Sequence, residues 1–152
     1  MRGVYTASYR ISALAGAKTL MYITAPATAV VEIISASVTN ESNETNEQLL
    51  CTFQTVNSLG TPTATTVTPA KTEAGSGAAA CTVKANVTAS EPTYVSDTEI
   101  GREGWSSLAG WFFDPSDAEK PIIAPSATLG LRCINAPTSF DGVVKITFRE
   151  IG

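Results

Sequence analysis

The sequence predicts an all-β fold, a single sandwich-type domain of about eight strands. Three observations carry that expectation. Charged residues make up 16% of the 152 residues, well under the roughly 25% of an ordinary globular chain. Thr, Ser, Ala and Asn fill the deficit, a balance that strands tolerate and that the exposed faces of long helices, which favour Glu, Lys and Arg, do not. Short β-branched or alternating runs recur from end to end. All eight prolines fall between or at the borders of these runs, where a missing N–H breaks no ladder.

The elements follow in order. Residues 4–11 alternate, 19–24 are apolar, and 30–39 are rich in Val and Ile. The acidic stretch 41–47 reads as a solvated hairpin tip; it lacks the Asp and Gly spacing of an EF-hand loop. Residues 48–56 form the next strand. Residues 60–77, rich in Thr, Pro, Ala and Gly with no helical period, read as a loop. Strands are expected at 79–88, 105–113, 127–135 and 142–150. The last is the clearest: Val144, Ile146 and Phe148 face one way, and Lys145, Thr147 and Arg149 the other, the period of two of a half-buried strand. Gly110 and Gly130, inside expected strands, read as bulges or tight bends. Ser116 and Glu119 have capping-box spacing, which predicts one helical turn after Pro115. No repeat or domain boundary is visible, so residues 1–152 read as one domain, a β-sandwich or a jelly roll. Periodicity alone does not choose between the two.

The composition also excludes chemistry. There is no histidine, so neither a Ser-His-Asp nor a Cys-His system can be built. Zinc sites of the common kinds are excluded as well, because there is no CxxC pair. The stretch Gly75-Ser76-Gly77-Ala78-Ala79-Ala80 matches a loose dinucleotide pattern but follows a loop and leads into a strand, so no cofactor is expected. A net charge of −4 without a basic cluster argues against nucleic acid or an anionic membrane as partner. No apolar run approaches the roughly 20 residues of a membrane span. The apolar run at 11–17 is broken by Lys18, unlike the core of a signal peptide. Cys51, Cys81 and Cys133 lie far apart in strand-like sequence and read as buried, reduced thiols; one disulfide with a spare thiol is the alternative.

One segment stands apart. In residues 104–125, GWSSLAGWFFDPSDAEKPIIAP, four aromatics precede three carboxylates, Asp114, Asp117 and Glu119. A glycosidase would need two carboxylates flanking a bond, with Asp97, Glu99, Glu103, Asp114 and Asp117 as candidates; carboxylates in turns are ordinarily solvated or capping. A sugar-binding module would stack rings on exposed Trp105 or Trp111. The third reading is packing: Trp105, Ser107, Ala109, Trp111 and Phe113 form one face of a strand, with Phe112 on the other. An aromatic strand running into a charged turn matches the core-to-rim transition of an interface. The candidate contact residues are therefore Trp105, Trp111, Phe112, Phe113, Asp114 and Asp117, and no catalytic, cofactor or metal residues are expected.

The opening GVYTASYR, the segment YITAPATAVVEIISASVTNES, the block WFFDPSDAEKPIIAPSATLGLRCINAP and the terminal GVVKITFREIG together resemble a group of small β-structured virion proteins of tailed bacteriophages. The shared pattern is an opening strand, an I-x-A-P turn before a strand leading to an acidic loop, an aromatic strand before a charged turn, a proline-started strand pair, and an ending close to F-x-E-I-G. The resemblance spans nearly the whole chain in order. It implies a head decoration or cement protein: a jelly-roll-like domain bound to the outside of an icosahedral capsid, with the major capsid protein as partner, commonly as a homotrimer. It also implies a location on the virion surface after assembly in the host bacterial cytoplasm, where unpaired cysteines are at home. A tail or head–tail connector component is the nearest alternative. A carbohydrate-binding module and an enzyme are the alternatives from other classes.

Overall fold

The structure, a computed structural model, describes residues 3–41, 46–135 and 137–152. Its strands are β1 (Gly3–Leu14), β2 (Lys18–Thr24), β3 (Val30–Asn40), β4 (Gln48–Ser58), β5 (Thr63–Val67), β6 (Ala70–Lys71), β7 (Thr82–Ala89), β8 (Thr93–Tyr94), β9 (Ile100–Ser106), β10 (Trp111–Phe113), β11 (Ile122–Ile123), β12 (Thr128–Cys133) and β13 (Phe140–Ile151). One 3-10 turn, Asp117–Glu119, follows Ser116. The strands form two antiparallel sheets. The first has the order β10-β3-β13-β1-β6, with β11 also on β3; the second has β5-β7-β2-β12-β4-β8, with β9 also on β4.

Eight of these strands pair in a nested way. β1 pairs with β13, β2 with β12, β3 with β10 and β4 with β9. The chain is thus a long antiparallel ribbon, folded so that each arm alternates between the sheets, which is how a jelly roll is wound. Each change of sheet is tied across the ribbon. The Gly16 amide donates to the Pro137 carbonyl (3.1 Å), Ala25 to Ala127 (3.0 Å), and Ser107 to Glu47 (2.8 Å).

Alternation supplies the core. β13 buries Phe140, Val144, Ile146 and Phe148, and the facing strands contribute Met21, Ile23, Leu49, Phe53 and Leu131. These side chains form one continuous cluster between the sheets, each fully buried one contributing roughly 1.5–3 kcal/mol.

The outer face of the second sheet is roofed by the segment carrying β8. Tyr94 meets the Thr19 hydroxyl at 2.6 Å, and Thr19 donates to Glu91 at 2.6 Å. The Arg132 guanidinium lies 4.1 Å from the centre of the Tyr94 ring and donates to Gln54 at 2.6 Å. A Cβ at position 130 would lie 2.5 Å from the Tyr94 oxygen. Gly130 is therefore clearance for a ring, not the bend expected of it. Gly110, by contrast, does lie in the left-handed region, with φ +84.

Several sequence expectations need correction. Residues 105–113 are not one strand: Ser107, Leu108 and Ala109 form a turn that carries the chain from β9 in the second sheet to β10 in the first. Residues 60–77 are not all loop, because β5 and β6 lie there as the outer strands of the two sheets. Among the described residues the strands number thirteen, of which eight make the wound ribbon. Of the expected acidic tip at 41–47, residues 42–45 lie outside the described residues, while Glu41 still donates its amide to Asp141 (3.2 Å). The three cysteines are free and buried, but Cys81 precedes β7 instead of lying within it.

The most consequential polar group is Glu150, which is 0% exposed. Its Oε1 accepts the amides of Ala80 (2.8 Å) and Cys81 (2.7 Å), tying the entry of β7 to the end of β13. Replacing Glu150 by Ala leaves the buried Cys81 amide without a partner and the Ala80 amide to solvent, and is expected to cost about 2 kcal/mol, read from the urea midpoint. Burial, and then the Glu150 charge beside it, pushes the Cys81 thiol up from 9.0 to about 12. The unfolded thiol ionises first, so the contribution of this group is complete below pH 9.0, falls as pH rises through that window, and is gone above about 12. Urea midpoints measured across the window should decline, and less steeply for Cys81→Ala.

Candidate functional site

The aromatic segment divides at its turn. Trp105, on β9, is 6% exposed; its Nε1 donates to Cys51 Sγ (3.3 Å) and its ring meets Phe140 edge-on at 5.7 Å. Trp111, on β10, is 2% exposed, 6.0 Å from Phe53 and stacked on Phe113 at 5.9 Å. Two indoles six positions apart in the chain thus fill one core from opposite sheets. Being buried, neither can present its face to a sugar.

Phe113 closes the seam where the sheets meet. Half-buried, it packs edge-on to Phe53 at 5.3 Å and lies over Gly101, where an added Cβ would come within 2.6 Å of the ring. Gly101 also has φ +66, so both backbone and space require glycine there.

Phe112 points the other way, with 64% of its surface exposed. It lies opposite Ser37, which lies opposite Lys145, so all three share the outer face of the first sheet. Shallow clefts flank the ring: one of about 240 Å³ toward Ser35, Ser37 and Lys145, the other of about 320 Å³ toward Gly101, Pro115 and Glu119. Further along the same edge Ile122 is 68% exposed. It lies opposite Glu32, itself opposite Arg149. Ile151, also outward on β13, adds a third exposed apolar side chain.

Between Phe112 and Ile122 runs the charged turn. Asp114 and Asp117 are exposed. A hydrogen bond from Lys120, and then the lysine charge, holds the Asp117 carboxyl below its usual range. Ser116 Oγ donates to Glu119 at 2.8 Å, which fixes the turn through side chains, without the backbone cap bond that the spacing predicted. Arg149 pairs with the nearly buried Glu32, and that hydrogen bond raises the guanidinium above its ordinary value.

Of the six candidate contact residues, Phe112, Asp114 and Asp117 thus lie together on one exposed edge, Phe113 supports them from beneath, and Trp105 and Trp111 belong to the core. Sequence reasoning missed Ile122. Its signal was the pair Ile122-Ile123 after Pro121: in a strand of two residues one side chain must turn inward and the other outward. Compared with known proteins, the chain matches no family model, no curated sequence and no solved structure.

The division predicts opposite responses to mutation. Trp111→Ala should cost about 3–5 kcal/mol by opening a cavity, whereas Phe112→Ser should fall within about 0.5 kcal/mol of the parent. Paired urea titrations check both.

Proposed function

We propose that the chain is a structural virion protein of a tailed bacteriophage, a head decoration protein that binds the outer surface of the capsid as a homotrimer with the major capsid protein as its partner. The observation that carries this reading is the outward edge of the first sheet, where Phe112 and Ile122 stand exposed on either side of the Asp114–Lys120 turn. Apolar anchors rimmed by charge are the composition of a docking patch. The backbone of the edge is anchored, since Phe112 sits between Trp111 in the core and the half-buried Phe113, which lowers the cost of ordering it on binding. The resemblance of its segments, in order, to those of small phage virion proteins supports the choice of partner. A shell protein gains its grip from many weakly bound copies, and oligomerisation multiplies each contact.

The test measures folding and capsid binding on the same variants. Phe112→Ser and Ile122→Ser are expected to keep the parent circular dichroism and urea midpoint while losing occupancy on purified capsids by roughly ten-fold or more, the size of a hot-spot loss. Variants that fold normally and still decorate particles at full occupancy would refute the contact. Mass-spectrometric copy number in purified virions separates the head from the tail: on the order of hundreds of copies fits decoration of an icosahedral shell, and about a dozen fits a connector or tail part.

A further inference from the structure

Cys51 and Cys133 lie directly opposite one another on neighbouring strands β4 and β12. Both turn into the core, at 0% and 1% exposure. Opposed residues of an antiparallel pair have Cα atoms about 4.5–5.5 Å apart, within the roughly 4.4–6.8 Å span of a disulfide. The two thiols are already in contact: a hydrogen bond to Cys133, followed by burial, raises Cys51 above the ordinary thiol range, and the same hydrogen bond lowers Cys133. Cys133 is the thiol that touches the half-buried Asn135, and Cys51 lies behind it under the Trp105 indole, whose Nε1 donates to its sulfur. Cys81 has no such partner; its neighbour is the Glu150 carboxylate.

We propose that Cys51 and Cys133 form a peroxide-responsive dithiol, reduced at rest and closed to an intrachain disulfide by a hydroperoxide small enough to enter a packed sheet. The Cys133 thiolate attacks one peroxide oxygen, the O–O bond breaks, and the departing hydroxide takes up the proton lost from Cys133 and leaves as water. Cys133 is then a sulfenic acid. The Cys51 sulfur attacks the Cys133 sulfur, the S–O bond breaks as the S–S bond forms, and the second hydroxide leaves with the Cys51 proton as water. Two thiols have lost two electrons and two protons, and one hydrogen peroxide has become two waters.

Access runs past Asn135, which is only half-buried. Its Oδ1 accepts the Cys133 thiol at 3.3 Å and the Leu50 amide at 2.9 Å, while its Nδ2 donates to the Gln48 carbonyl at 2.6 Å. One side chain therefore latches the end of β12 to β4 directly over the thiol pair.

The experiment treats the folded, reduced protein with hydrogen peroxide, quenches with catalase, and follows intact mass and linked peptides. The expected result is loss of two hydrogens, a peptide pair joining Cys51 to Cys133, full reversal by dithiothreitol, the same behaviour in Cys81→Ala, and no cross-link in Cys51→Ser or Cys133→Ser. Asn135→Ala, or Asn135→Ser should the first not fold, is expected to close about 25-fold faster, about five-fold for each of the two strand-latching hydrogen bonds lost. Sulfinic or sulfonic acid at Cys133 without a cross-link, a disulfide to Cys81, or thiols that stay reduced until the protein unfolds would each overturn the proposal. An unchanged rate in the Asn135 variants overturns the access route.

Discussion

The fold rests on one constraint: a ribbon of paired strands can change sheets only where both of its strands change together. A strand that crossed alone would leave its partner's N–H and C=O groups unpaired inside the protein, at about 1–3 kcal/mol for each buried group. The molecule meets the constraint at three places. The chain crosses at Gly16 beside Pro137, at 25–29 beside 124–127, and at Glu47 beside 107–110, and a backbone hydrogen bond joins the two sides at each crossing. Pro26, Pro125 and Pro137 fall in these crossings, where their missing donors are not needed. The chemistry of the crossings and the topology of the sandwich are therefore one fact seen at two scales.

The same constraint produces the exposed edge. The 107–110 crossing delivers β10 to the first sheet with only three residues to pair against β3. Trp111 and Phe113 spend their alternation on the core and the seam, and Phe112 has no inward option. The route to the next core strand, β12, then passes over the outside of the sheet rim as the charged turn and β11, again with one isoleucine in and one out. An apolar pair separated by a charged loop is thus the consequence of a short return strand. The exposed side chains carry little of the folding energy, which leaves them free to vary with a partner.

What was legible in the sequence follows from how each element is stabilised. β13, with one face in the core, showed its period directly, β3 showed as a run rich in Val and Ile, and the bounds of both were read to within a few residues. β5 is an outer strand with a mostly exposed pattern, so no hydrophobic period marks it; only its Thr and Val content hinted at extension. The split of 105–113 was hidden by parity. Trp105 and Trp111 are separated by an even number of positions, so a turn between them preserves the alternation that a continuous strand would show. Gly110 and the serines before it were the available signal. The choice between sandwich and jelly roll lies in pairings between residues more than a hundred apart, such as Tyr5 with Phe148, which local sequence does not encode.

The placement of the thiol pair has a topological meaning. β12 belongs to the ribbon pair β2·β12 and β4 to the pair β4·β9, so the contact between Cys51 and Cys133 lies where one ribbon pair meets the other. Such contacts bring together residues far apart in the chain, and closing a loop of that length carries an entropy cost. A covalent bond at that seam would restrict the unfolded chain over a long loop, where the constraint is greatest, without adding atoms to the core. Sulfur suits the position for a second reason. As reduced thiols the two residues are small apolar side chains within the core cluster, Cys51 beneath Trp105, so the packing of the resting protein does not depend on the bond.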